Sequence, residues 1–412
     1  LSVADCRLAN PPHFREKRAM TFRPFVHSLA LALIAIASSS ARSAVDWDPQ
    51  VYPHEQLFPS IIIGTATVKP KDEVFPVWKG NHIGDPQGII GAQVDGLPPG
   101  RKVALVIREN AVMGTSRVEG TSGEGDLTIY PKVLWRYDRL GRVRQTEPLD
   151  VTMELLVDGQ SLGEKTVTAT LRTVNDCLFG VEEGDGDFSD YAWLFAAYVN
   201  ENHPWVDRTL KDALATGIVR SFDGYQSGDP DQVLQQIFAI WHAMQQAGMR
   251  YSDITTTGAE EEGVYSQHVR LFEESVTAAQ ANCVDGTVLL AAVLRKIGLR
   301  PSLVVLPRHM FLAVDLDDET TIGIETTMMG AEIEPEAKKS GTNLGFGSDS
   351  GEGDESRGNF EEAVAAGTAA LEEAWEKIKS DDPDHQLIDL AQARSLGILP
   401  IRSAAAEAPD GP

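Results

Sequence analysis

With 412 residues the chain is long enough for two or three domains of ordinary size. A hydrophobic fraction of 42% with 7% aromatics supports real cores and excludes wholesale disorder. A formal net charge of −25, from 61 acidic against 36 basic residues, excludes binding to nucleic acid or anionic lipid through general electrostatics; its plain meaning is solubility.

Residues 1–44 read as a leader. Met20 opens a short basic stretch, Leu29 to Ala37 is apolar, and Ser38 to Ala44 is rich in small residues, with cleavage expected after Ala41 or Ala44. The apolar run is too short to span a bilayer, so no transmembrane anchor is expected after cleavage, and the location is exported: periplasmic or secreted. Loss of this segment takes Cys6 away and leaves Cys177 and Cys283. From 45 to 174 the text is short β runs broken by turn residues. Ile61–Val68, Gly88–Val94, Lys102–Arg108, Leu127–Trp135, Leu149–Val157 and Thr166–Thr173 are six candidate strands, and their spacing predicts an immunoglobulin-like β-sandwich. Asn175 to Asp187 is polar, Gly-rich and acidic, and is taken as the domain boundary. Glu182, Glu183, Asp185 and Asp187 there lack the spacing of a calcium loop, so no metal and no cofactor is expected.

A second domain is expected over 188–402. Helices are predicted over Ser189–Asn202, over Trp205–Thr216, and from Asp229-Pro230 to Gly248, where Val233, Leu234, Ile237, Phe238, Trp241 and Met244 form one stripe. Asn282 to Gly298 reads as one further helix: Asn282 is a good N-cap, Asp285 suits the first turn, and Gly298 a C′ stop. Its apolar middle marks a buried helix. That puts Cys283 at a helix N-terminus, where free N–H groups favour thiolate over thiol. Leu303–Leu306 and Met310–Leu316 read as strands, Asp317-Asp318-Glu319 as a turn, and Thr320–Thr326 as the returning strand. A turn centred on Asp317 places Glu325 across from His309, both on one face, with Asp315 the weaker alternative acid. Residues 331–359 are expected to be a flexible insertion, Glu361–Lys379 a helix, Leu387–Leu390 and Ile398–Ile401 β structure, and 403–412 disordered.

At Asn282-Cys283-Val284-Asp285, Leu294 to Gly298, His309-Met310-Phe311 and Glu325-Thr326-Thr327 the chain resembles the transglutaminase-like family of papain-fold enzymes. The match covers about Gln267 to Met328. It departs from the family pattern at Arg308, where a Gly often precedes the His, and in having Glu for Asp as the acid. The resemblance implies an α+β protein: a papain-like domain behind the sandwich, with Cys283 as nucleophile, His309 as base and Glu325 as orienting acid. Such a site performs acyl transfer or hydrolysis at an amide or peptide bond through a Cys thioester. The backbone N–H of Cys283 would serve the oxyanion, with Trp241, Gln267 and Gln280 as candidates for a second donor. The partner expected is a peptide or protein substrate, possible in the cell envelope, with no nucleic acid. Two rival readings stand beside it. One is a catalytically inactive binding or structural protein of the envelope, and the other a chain stapled by a Cys177–Cys283 disulfide.

Overall fold

The computed structural model describes residues 45–402 apart from 70–77, 79, 184–186, 253–257, 262, 331–351 and 381. The expectations for 1–44, for most of 331–359 and for 403–412 fall outside the described residues. The first half runs β1 (Asp46–Val51), β2 (Gln56–Leu57), α1 (Pro59–Gly64), β3 (His82–Gly84), β4 (Ile90–Asp95), β5 (Lys102–Ile107), β6 (Met113–Gly114), β7 (Ser116–Thr121), β8 (Leu127–Tyr130), β9 (Leu134–Trp135), α2 (Tyr137–Leu140), β10 (Glu147–Val157) and β11 (Gln160–Leu171). A four-stranded sheet β1-β4-β8-β3 and a five-stranded sheet β2-β11-β10-β5-β7 bury their apolar residues in one core.

Along β10, Leu149, Val151, Met153, Leu155 and Val157 are buried at every second residue, the period of a half-buried strand. Asp158 and Gly159, both at positive φ, turn β10 into β11, the backbone that a two-residue hairpin loop needs.

Two expectations fail here, and one strand was not foreseen. Ile61–Val68 is not a strand; Pro59 at the first helical position starts α1, and Ile61 and Ile62 are buried on it, so tertiary packing overrides β-branched propensity. Strand β1 escaped notice because it contains Pro49, which is tolerated because β1 lies at a sheet edge. The run Leu127–Trp135 is two strands, β8 and β9, belonging to different sheets.

The second half follows without a break. Asn175 to Asp187, read as a connection, holds β12 (Asp176–Glu182), with Cys177, Leu178 and Val181 buried. Then come β13 (Phe188–Asp190), a 3₁₀ helix Ala192–Tyr198 in place of the longer helix expected, α3 (Pro204–Ala215), α4 (Pro230–Gln246), β14 (Arg250–Tyr251), β15 (Gly258–Glu261), β16 (Val264–His268), α5 (Phe272–Ala278), β17 (Gln280–Ala281), α6 (Cys283–Lys296), β18 (Pro301–Leu306), β19 (His309–Asp315), β20 (Thr321–Ile324), a 3₁₀ turn Thr326–Met328, α7 (Glu352–Lys379), β21 (Gln386–Asp389) and α8 (Leu390–Leu396). Helix α4 starts as Asp229-Pro230 predicts, with the Asp229 carboxylate accepting from the Asp231 N–H. Helix α7 begins earlier than expected and already includes 352–359. Ile398–Ile401 is not a strand; the Ile401 N–H bonds the Ala197 carbonyl.

The chain is thus mixed α+β with several sheets. Sheet β20-β19-β18-β21 is covered on both sides. Leu303, Met310, Leu312 and Val314 join the core containing α6, whereas Val304, Phe311 and Ala313 pack with Leu371 of α7. Among the described residues no helix is long and apolar enough to cross a membrane.

Candidate active site

Cys283 is the first residue of α6. Asn282 caps the helix by accepting from the Asp285 N–H at 2.8 Å, and the Asp285 carboxylate reaches back to the Asn282 N–H at 3.3 Å. This reciprocal cap fixes where the helix starts and therefore where Cys283 stands. The Thr287 hydroxyl donates to the Cys283 carbonyl at 2.6 Å and lies 3.1 Å from the Thr326 hydroxyl. Gly286 suits that approach, because a Cβ there would lie 3.1 Å from Thr326 Oγ1 and crowd it. Helix α6 is thereby seated against the residue that follows Glu325.

His309 opens β19 after the two-residue turn Pro307-Arg308, and Arg308 sits at φ 61. The left-handed backbone at that position is what glycine adopts most easily, which gives a physical reason for a Gly preceding a His placed this way. His309 Nε2 and Glu325 Oε2 are 2.6 Å apart. The other Glu325 oxygen accepts from the Thr327 N–H at 3.0 Å and the Thr327 hydroxyl at 2.7 Å, so both carboxylate oxygens are held. His309 Nδ1 is buried without a hydrogen-bond partner among the described residues, which leaves the second ring nitrogen unspent.

The register differs from expectation. Leu312 pairs with Ile324 and Ala313 with Gly323, so the hairpin centres on Asp318 and, carried onward, sets Phe311 across from Glu325. Glu325 reaches His309 diagonally, past the last paired residue of β20, and the parity argument survives because the shift is two residues. Asp315 is occupied elsewhere: it meets Arg300 Nε at 3.2 Å and accepts from the Thr321 hydroxyl at 2.8 Å. His309 shares its strand face with Phe311, ring centroids 6.0 Å apart, which is the face that α7 covers. Cys283 comes from the α6 side. The Thr326 hydroxyl, next to Glu325, donates to the Cys283 carbonyl at 3.4 Å, so the start of α6 lies beside the segment that carries the acid.

Cys283 is fully buried. Cys177 is a free, buried thiol, so the Cys177–Cys283 staple is not formed. Burial pushes the Cys177 thiol well up, with Asp176 adding to the effect, which makes it a poor competitor for alkylating reagents.

The oxyanion candidates are dispersed in role. Trp241, fully buried on α4, spends its indole N–H on Asn359 Oδ1 at 3.2 Å. Gln267, on β16 across from Cys177, donates to the His268 carbonyl, and its Oε1 has no partner among the described residues. Gln280 is half-buried in β17, and its backbone carbonyl accepts from Arg270 Nη1 at 3.3 Å.

Sequence reasoning found α7 from Glu361 onward but not its part in the site. Asn359 accepts from Trp241 and Gln245 and donates to the Met328 carbonyl at 2.7 Å. The Ala363 carbonyl accepts from the Glu325 N–H at 3.0 Å, and the Thr368 hydroxyl accepts from the Gly323 N–H at 3.1 Å. The helix therefore braces the segment carrying the acid. A lone Gly367 inside an Ala-rich helical run was the available signal, since such a glycine marks close packing.

Asp285 supplies a pH-dependent test. Burial pushes its carboxyl up to about 6, against the opposing pull of Arg270. In the unfolded chain it titrates near pH 4, so between about pH 4 and pH 6 the unfolded state has released a proton that the folded state keeps. The contribution is full below pH 4 and is lost as pH rises through 6, about 3 kcal/mol at 1.36 kcal/mol per pH unit. Asp285→Asn should remove this slope. Urea unfolding at pH 4 and pH 7 should show a between-pH difference smaller by about that amount in the variant; an identical difference in both proteins would mean that the carboxyl ionises normally.

Among the described residues no group of three or more His, Cys, Asp or Glu is placed to hold a metal ion. Compared with known proteins, the chain matches no family model, no curated protein and no solved structure.

Proposed function

We propose that the chain is an exported, transglutaminase-like cysteine enzyme acting on amide or peptide carbonyls of a peptide or protein substrate, its papain-like domain following an immunoglobulin-like sandwich. The observation that carries this reading is the His309–Glu325 pair at 2.6 Å, with Nδ1 unspent, at the sheet end where Cys283 opens α6. His309 takes the thiol proton, Cys283 Sγ forms a bond to the carbonyl carbon, the C–N bond breaks, and His309 passes that proton to the leaving amine. Water or an amine attacks the thioester, losing its proton to His309, and the thiol is restored. Glu325 holds the ring orientation and stabilises the imidazolium, while the Cys283 N–H faces the developing oxyanion.

The complete burial of Cys283 favours a second reading, a catalytically inactive binding or structural protein of the envelope. One experiment separates the two. The protein is reduced with dithiothreitol under native conditions and offered a peptide vinyl sulfone. An adduct on Cys283, absent from Cys283→Ala and sparing Cys177, supports the enzyme; a reduced, folded protein that forms none leaves the structural reading.

A further inference from the structure

We propose that a cleft beside α2 in the first half of the chain binds a small polyanion, a molecule carrying two or more carboxylate or phosphate groups. The cleft measures about 600 Å³ and is lined by Arg136, Arg139, Arg142 and Arg144, with Glu147 the one acid on its wall. Its volume is within the range of small-molecule sites, roughly 300–1,000 Å³. A chain with 61 acidic and 36 basic residues here places four arginines and one aspartate in the nine residues 136–144. Gathering like charge in one concavity is unfavourable without a counter-charge.

Neighbouring acids supply only part of that counter-charge. Arg136 Nη2 meets Glu109 at 2.7 Å, but Arg144 lies 3.7 Å from Glu274 and 4.0 Å from Glu273, and Arg139 lies 3.8 Å from Asp138. The Arg142 guanidinium makes no ion pair or hydrogen bond among the described residues. Two of the four are pre-positioned through the backbone: Arg136 Nη1 donates to the Asn110 carbonyl at 2.5 Å and Arg144 Nη1 to the Gly141 carbonyl at 2.9 Å. They fix the cleft's sides, and the exposed Arg139 and Arg142 are free to close on a ligand. Guanidinium forks match carboxylate and phosphate oxygens two at a time, which suits a ligand with several such groups. Long polyanions are disfavoured, because beyond the cleft they meet a chain of net charge −25.

The test is calorimetric titration of the full chain at low ionic strength with tripolyphosphate, citrate and triglutamate. At least one should bind, phosphate and carboxylate chemistry being told apart by which binds more tightly. The double variant Arg139→Gln, Arg142→Gln should weaken that binding about tenfold or more, by loss of charge-assisted bonds, at an unchanged urea midpoint. If the double variant misfolds, Arg142→Gln alone, which removes no contact, should still weaken binding. Absence of binding for all three up to millimolar concentration, equal binding by wild type and variant, or tighter binding of a single-stranded DNA oligomer would each overturn the proposal.

Discussion

Replacing Gly323 by alanine should destabilise the second half of the chain by about 3 kcal/mol or more, at or above the usual cost of overpacking. The added Cβ would sit 2.1 Å from the Gly367 carbonyl oxygen, 2.2 Å from its carbon and 2.7 Å from the Thr368 nitrogen, all backbone atoms of α7. No rotamer change relieves such a contact. The reciprocal substitution, Gly367→Ala, puts a Cβ 2.5 Å from the Ile324 nitrogen and should cost a similar amount. Urea unfolding followed by the helical circular dichroism signal would measure both. A change under about 0.5 kcal/mol, the range of a neutral surface substitution, would show that α7 does not cross β20 this closely.

In the reduced protein, His309→Ala and Glu325→Gln should each slow alkylation of Cys283 by about tenfold or more, since both remove the charge pair that sustains a thiolate. Glu325→Asp should be milder, because the charge survives and only its reach shortens. Stopped alkylation with iodoacetamide, read by mass spectrometry, gives the rates. Equal rates in wild type and Glu325→Gln would detach the carboxylate from the thiol's chemistry. Asp315→Asn is the control, because Asp315 is bound to Arg300 and Thr321 and should leave the rate unchanged.

Much of this site was legible because its parts are local. The Asn282 cap, Asp285 in the first turn and Gly298 past the end defined α6 to within a residue, since each acts on the backbone beside it. Alternation through Met310, Leu312 and Val314 gave β19 its faces, so the shared parity of His309 and Glu325 held although the turn centre was one residue off. What was hidden is non-local. No periodicity shows that β12 is a strand, because it pairs with β16 from far along the chain. Nor does any local signal show that Asn359 binds Trp241, or that Ala363 receives the Glu325 N–H. The Ile61 region failed for a related reason: a short apolar run fits strand and helix alike, and Pro59 decided it.

The bracing of Glu325 by α7 also sets an order of assembly. Cys283, His309 and Glu325 all leave the ribosome before residue 352, yet the carbonyl that seats the Glu325 N–H and the hydroxyl that meets Gly323 belong to residues 363 and 368. A nascent chain that has just exposed all three residues holds the acid on an open hairpin whose outer face, with Val304, Phe311 and Ala313, is still wet. The fixed imidazole–carboxylate pair therefore forms only after residue 368 has been made, because the loop closure that orders it waits on a helix that follows the site in the chain.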